Sequence, residues 1–225
     1  TRCAIVTGVQ TCALPIFFVL DGNGLRFATP PDFGLLDGQS FEVAMRAIDS
    51  EGAEGEATLT VTLQGPDFVA GPGADTFDGT EADEVVEGRG GALLNDIVDG
   101  GGGADTLRNG DGAAPLSLAG FNDAGAGPTG FEILKGAGGP GDPGRTVLGT
   151  DDANAFRLGG VTLIDVDRLA TGAGADTVTL IGAIGAEGLT VEAGPGDDTV
   201  EGGDAGERAE GGDGEDDLAG GAGDD

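Results

Sequence analysis

The sequence predicts an all-β protein: a parallel β-roll or β-solenoid over 68–225, preceded by an incomplete antiparallel β-sandwich over 17–67. Three observations carry that expectation. Acidic residues recur nine positions apart with a large apolar residue two places later, as at Asp96 and Asp105 followed by Val98 and Leu107. Glycine, 48 of 225 residues, holds fixed positions ahead of those acids. Before residue 68 the pattern changes, and apolar and polar residues alternate with period two.

Composition narrows the function classes. There are 41 acidic and 10 basic residues, for a net charge of −31, and no His, Trp or Tyr. Without His there is no Ser–His or Cys–His nucleophile pair and no imidazole metal site. So negative a chain has no basic footprint for nucleic acid. The longest apolar run, Ala13–Leu20, falls well short of the ~20 residues of a membrane-spanning helix. What is left is disorder, or a fold whose acids are neutralised by something outside the sequence.

Thr1–Ile16 reads TRCAIVTGVQTCALPI. Its last eleven residues, Val6–Ile16, resemble the translated adapter of short-read sequencing libraries, which makes residues 1–16 adapter-derived rather than native. An N-terminal strand is the other reading, since CAIV and CALPIFFVL are β-compatible. Both cysteines, Cys3 and Cys12, fall inside the segment, so cysteine usage says nothing of the redox compartment.

Over 17–67, Phe17–Leu20 and Leu25–Ala28 flank Asp21-Gly22-Asn23-Gly24, a hairpin signal. Ser40–Ile48 places Phe41, Val43, Met45 and Ala47 on one face, and Ala57–Leu63 does the same with Leu59, Val61 and Leu63. Such alternation with β-branched residues means half-buried antiparallel strands. LDGNGLRF (20–27), PPDFG (30–34) and AIDSEG (47–52) resemble the C-terminal half of a bacterial cadherin-like repeat. That resemblance implies calcium ligation between tandem domains by Asp32 and Asp49, although Gly34 stands where the family usually has Glu. Both acids also suit ordinary turns.

From residue 68 the unit is G-G-x-G-x-D-x-U-x, with U a large apolar residue. GGGGADTLR (100–108) and GGDGEDDLA (211–219) are full copies; AGPGADTFD (70–78), TGAGADTVT (171–179) and AGPGDDTVE (193–201) lack only the first glycine. Glycines allow positive φ, so six residues turn tightly and aim carbonyls inward. The x-U-x that follows is a minimal strand with U to the interior. Two units close one coil, so residues eighteen apart stack, Asp198 on Asp216 and Glu207 on Asp225. Carboxylates and carbonyls from adjacent coils then form a hard oxygen site, the chemistry of calcium. Charge agrees: residues 192–225 hold 13 acids and one base, Arg208, and compaction without cations would meet self-repulsion.

These copies resemble the haemolysin-type calcium-binding repeats of the repeats-in-toxin family, which form a parallel β-roll. The resemblance implies Ca2+ as ligand, with carboxylate ligation by Asp75, Asp83, Asp96, Asp105, Asp176, Asp198, Asp216 and Asp225. It implies carbonyl donation by turn glycines such as Gly100, Gly101, Gly103, Gly194, Gly196, Gly211, Gly212 and Gly214. Departures are visible too. Asp75 and Asp83 are eight apart, Glu207 replaces Asp, and Ala209 is a poor interior residue. Over about 109–170 the motif nearly vanishes, leaving β-like runs at Leu116–Phe121, Phe131–Leu134, Thr146–Leu148, Ala155–Leu158 and Val161–Ile164. GTDDANAF (149–156) reads as a worn copy, with Asn154 at the Asp position and Phe156 at U. Apolar stacking can carry a solenoid through such turns. Asp225 is the sixth residue of its unit, so the expectation is a piece of a longer reading frame.

The expected function is non-enzymatic calcium binding in a large secreted or cell-surface bacterial protein, adhesin-like, folding on calcium binding after type I export. A cell-surface, carbohydrate or protein receptor would be reached through the parent protein. The alternative is an export and stability module of a secreted enzyme or toxin. No His–Glu–x–x–His helix and no G-x-S-x-G elbow is present to supply chemistry here. A third reading is a structural spacer without calcium, and composition alone would also suit a disordered acidic tail.

Overall fold

The computed structural model describes residues 65–123 and 127–224 in full, and five earlier strands by their backbone. The chain divides into two compact units, Thr1–Gly65 and Pro66–Asp225.

In the first unit, β1 (Arg2–Ile5), β4 (Ser40–Ile48) and β5 (Glu54–Thr62) form one antiparallel sheet in the order β1-β4-β5. The hairpin β2 (Phe18–Asp21) and β3 (Gly24–Phe27) pairs Asp21 with Gly24, the register of a two-residue loop. β4 has the bounds that its alternation predicts, whereas β5 begins three residues before the predicted Ala57. Arg2–Ile5, inside the segment resembling adapter sequence, pairs antiparallel with β4. Asp32 and Asp49 lie outside the described residues.

The second unit is a parallel β-solenoid of about seven coils. Its strands are short because each is only the x-U-x of a turn-rich unit. They are β6 (Phe68–Val69), β7 (Thr76–Asp78), β8 (Val85–Gly88), β9 (Ile97–Asp99), β10 (Thr106–Asn109), β11 (Leu116–Ser117), β12 (Ile133–Lys135) and β13 (Thr146–Thr150). They continue as β14 (Ala155–Arg157), β15 (Thr162–Ile164), β16 (Arg168–Gly172), β17 (Thr177–Thr179), β18 (Thr190–Pro195), β19 (Thr199–Glu201), β20 (Arg208–Asp213) and β21 (Asp217–Ala219). Four parallel sheets result: β6-β8-β10-β12-β15, β7-β9, β11-β13-β16-β18-β20 and β14-β17-β19-β21. Two 3-10 turns, Ala92–Asn95 and Pro143–Arg145, are the helical elements among the described residues.

Most strands turn one or two residues inward, and the apolar ones stack in columns. Val86, Leu107, Leu134 and Leu163 form one column. Leu116, Val147, Leu169 and Val191 form a second, and Phe121, Phe156, Val178 and Val200 a third. All twelve are buried. This stacking replaces a single large core, which is how a chain with so few aromatics buries enough apolar area.

Coil length departs from the uniform eighteen of the sequence reading. Val191 pairs with Ala209 and Val200 with Leu218, eighteen on. One coil earlier the step is 22, as in Asp176 against Asp198. Toward the other end it is 21, as in Glu84 against Asp105. In the middle it reaches 27 to 35. The extra residues add a further side to the coil: Ala183–Leu189 carries Ala186 and Leu189 into the interior and bridges Ile184 to Thr162. The motif-poor stretch is therefore not a gap in the solenoid. β11 to β15 run through it where the apolar runs predict strands.

Candidate functional site

The repeat places each acid at the last turn position, immediately ahead of its strand. There the acid's side chain, turned toward the neighbouring coil, meets the backbone N–H of the corresponding turn. Three carboxylate ladders follow. In the first, ahead of β7 and β9, the Asp75 N–H donates to Asp96 Oδ1 (2.8 Å). In the second, ahead of β8, β10 and β12, the Glu84 N–H donates to Asp105 Oδ1 (2.7 Å) and the Asp105 N–H to Glu132 Oε2 (2.9 Å). In the third, the Asn154 N–H donates to Asp176 Oδ1 (2.7 Å), the Asp176 N–H to Asp198 Oδ1 (2.8 Å) and the Asp198 N–H to Asp216 Oδ1 (3.1 Å). Many turns also close on themselves: the Gly71 N–H donates to Asp75 Oδ2 (2.8 Å) and the Gly203 N–H to Glu207 Oε1 (3.2 Å), both four residues apart.

Each ladder consumes only half of its acids' capacity. Asp105, Asp176 and Asp198 are at most 2% exposed. Their Oδ2 atoms, with Asp96 Oδ2 and Glu84 Oε2, are buried and have no hydrogen-bond partner. The Thr171 hydroxyl donates to the Ala193 carbonyl (2.7 Å). Unsatisfied buried carboxylate oxygens are costly, and five in one unit signal a proton or a cation. Burial raises the Asp105 carboxyl above its ordinary value of 3.8, and the charges of Glu84 and Glu132 add to this. Burial likewise raises Asp176, with the Asp198 charge contributing.

The glycine turns bring carbonyls against this edge. Gly196 and Gly214 have φ of +151° and +146°. A Cβ on either would lie 1.7 and 1.8 Å from the carbonyl oxygens of Gly174 and Gly196 one coil back. No L side chain fits so close a stacking of turns. Gly194 and Gly212 repeat the contact two positions earlier. Gly211 faces its own acid, its Cβ position 2.2 Å from Asp216 Oδ2, and Gly100 faces Asp105 Oδ2 at 2.9 Å. Gly101 and Gly103, both at positive φ, stack on the carbonyls of Thr80 and Ala82.

The sequence-predicted residues thus fall into three groups. Asp96, Asp105, Asp176 and Asp198 are buried in the ladders, and Asp75 and Asp216 stand half-buried at ladder ends. Asp83 is a correction of register. It is exposed, accepting the Ala104 N–H (2.9 Å), while Glu84 takes the inward position and Val86 the core. A one-residue slip exchanges the two faces of a strand, and Glu84 restores the nine-residue step from Asp75. Counting nine would have found it; reading for Asp did not. Asp225 lies outside the described residues. Among the described residues no three acids or cysteines converge as a ready-made metal cluster, so a cation here would take most of its oxygens from turn carbonyls. Sequence reasoning missed Glu132, which sits outside any copy of the motif.

Fold and site together define a parallel β-solenoid with axial carboxylate ladders. No protein-family model, curated protein or solved structure matches the chain. No helix among the described residues is long and apolar enough to cross a membrane.

Proposed function

We propose that the 66–225 unit binds calcium through its turns, in the manner of the repeats-in-toxin β-roll it resembles. The five buried carboxylate oxygens without partners carry this reading. Calcium takes 6–8 oxygens. Asp176, Asp198 and Asp216, with carbonyls of Gly172, Gly174, Gly194, Gly196, Gly212 and Gly214, would hold it at one end. Asp75, Glu84, Asp96 and Asp105, with carbonyls of Gly100, Gly101 and Gly103, would hold it at the other. A bound divalent ion neutralises acids that burial and mutual repulsion disfavour. The function is binding rather than catalysis, and the setting is a secreted or cell-surface protein, adhesin-like, in which extracellular calcium drives folding after export.

The test is a calcium titration of chelator-treated chain, followed by circular dichroism and calorimetry. Expected is a gain of β signal with a midpoint of about 10⁻⁴–10⁻³ M, the range of extracellular calcium modules. A β signal already complete in chelator and unmoved by millimolar calcium sinks the proposal.

A further inference from the structure

We propose that the coils of 109–170 fold without metal and template the cation-dependent coils on either side, Asn154 closing the C-terminal ladder with its amide in the place of a cation. This rests on the calcium reading above and says which part of the molecule needs the ion and which does not.

The placement of unsatisfied oxygens separates the regions. Glu84, Asp96 and Asp105 precede 109–170, and Asp176 and Asp198 follow it. Inside that span the buried polar side chains, Asn109 and Asn154, are amides, and Glu132, the acid there that joins a ladder, is exposed. Asn109 Nδ2 donates to the carbonyls of Ala114 (2.8 Å) and Gly144 (3.0 Å), while Oδ1 accepts the Asp111 N–H (3.0 Å). Asn122 clasps Phe131, Nδ2 donating to its carbonyl (2.7 Å) and Oδ1 accepting its N–H (3.1 Å). An amide offers donor and acceptor at once, whereas an ionised carboxylate only accepts and needs a counter-charge.

Asn154 is where the two systems meet. Its N–H donates to Asp176 Oδ1, as the Asp176 and Asp198 N–H groups do to the acid of the next coil. Toward the preceding coil the polarity reverses. Elsewhere the earlier N–H donates to the later acid; here Asn154 Nδ2 donates back to the Ala119 carbonyl (3.1 Å) and to Thr150 Oγ1 (2.9 Å), and Oδ1 accepts the Thr150 N–H (2.7 Å). Every polar atom of the residue is satisfied, and the ladder stops. A carboxylate there would set an oxygen against the Ala119 oxygen, an arrangement only a cation or a proton relieves.

Charge and packing point the same way. Residues 109–170 carry eight acids and four bases, against 13 and one over 192–225. Arg145 holds Asp167 with two nitrogens (2.7 Å each) and Asp165 with the third (2.6 Å). The three fully buried phenyl rings, Phe121, Phe131 and Phe156, all lie in this stretch. The core there is stable on apolar burial, and its last strands offer a parallel edge on which the next coil pairs.

Hydrogen exchange followed by mass spectrometry on the full chain tests this. In chelator, amides of 146–150, 155–158 and 162–164 are expected to stay protected while those of 199–201, 208–213 and 217–219 exchange freely, and calcium should protect the latter. Free exchange throughout in chelator, with calcium protecting middle and ends together, overturns the inference and leaves calcium binding intact. Full protection throughout in chelator overturns both. Asn154→Asp gives an independent readout: one more calcium bound per chain at saturation, and exchange over 146–158 faster by about tenfold or more in chelator. An unchanged stoichiometry with unchanged exchange overturns the role of Asn154. Should Asn154→Asp not fold, Asn154→Ala keeps the question open to measurement, with the same faster exchange expected and no added calcium.

Discussion

The coils of 171–224 and those of 109–170 stack on common columns of apolar residues, yet they dispose of their buried polar groups in opposite ways. In the C-terminal coils the turn is glycine-rich and tight, and Asp176 and Asp198 each give one oxygen to a neighbouring coil's N–H and leave the other without a partner. In the middle coils the turns are long, the buried polar side chains are amides that close on carbonyls, and phenyl rings fill the wider interior. One region is assembled around missing positive charge and the other is complete in itself. A regular motif therefore does not mark the self-sufficient part of a solenoid. Here regularity accompanies dependence on a ligand, because a repeated turn is what presents oxygens at fixed spacing.

The contrast breaks most sharply at the middle core. Phe156 is fully buried and pairs with Phe121 and Val178. Phe156→Ala is expected to cost about 3–5 kcal/mol and to remove whatever order survives in chelator, read by thermal melts of the metal-free chain. Leu218, which is 43% exposed on the last strand, serves as control: Leu218→Ala should leave that metal-free melt in place. Equal losses from both would show that the two regions fold as one.

Asp198→Asn sharpens the other side. Asn retains an oxygen for the Asp176 N–H but gives up the buried negative charge. The calcium midpoint is expected to rise about tenfold or more, since a ligand costs at least what an outer-shell partner does. In chelator the variant should be no less ordered than the parent, because a charged, unsatisfied group has been removed. A midpoint that does not move would take Asp198 out of the site.

The smallest effect is that of pH, and its sign differs between regions. Asp105 and Asp176 titrate above 3.8 when folded, because burial opposes their charge. The folded chain then binds more protons than the unfolded one, so the metal-free ladders gain stability as pH falls from neutral toward 3.8. Asp167 is held below 3.8 by the Arg145 guanidinium. Its contribution to the middle is present above 3.8 and is lost as pH falls through the lower folded value. Metal-free melting is thus expected to shift upward as pH is lowered from neutral toward 3.8, and calcium should reverse the shift, since protons and metal compete for the same oxygens. A downward shift without calcium would mean the ladder acids are already neutralised by other means.

Much of this was legible beforehand. The acid followed two residues later by a large apolar residue placed Asp96, Asp105, Asp176 and Asp198 at the inner turn position, with Val98, Leu107, Val178 and Val200 in the core. The worn copy at 149–156 gave Asn154 the acid's position and Phe156 the interior one, and both are buried. What was not legible is geometric. Glu132 accepts the Asp105 N–H from outside any copy of the motif, so no spacing marks it, whereas the nine-residue step from Asp75 does mark Glu84 over Asp83.

By itself, then, the sequence determined the class of the fold, the strand positions and the inward identity of most ladder acids, because these depend on short-range spacing: glycines where φ must be positive, and one apolar residue per strand. Tertiary structure alone decided how long each coil is, which acid sits on which, and where the ladders end. Those depend on what the neighbouring coil offers. Ala119 offers Asn154 a carbonyl, Asp216 offers Asp198 an oxygen, and residues up to 35 apart in the chain cannot announce that pairing through their own spacing.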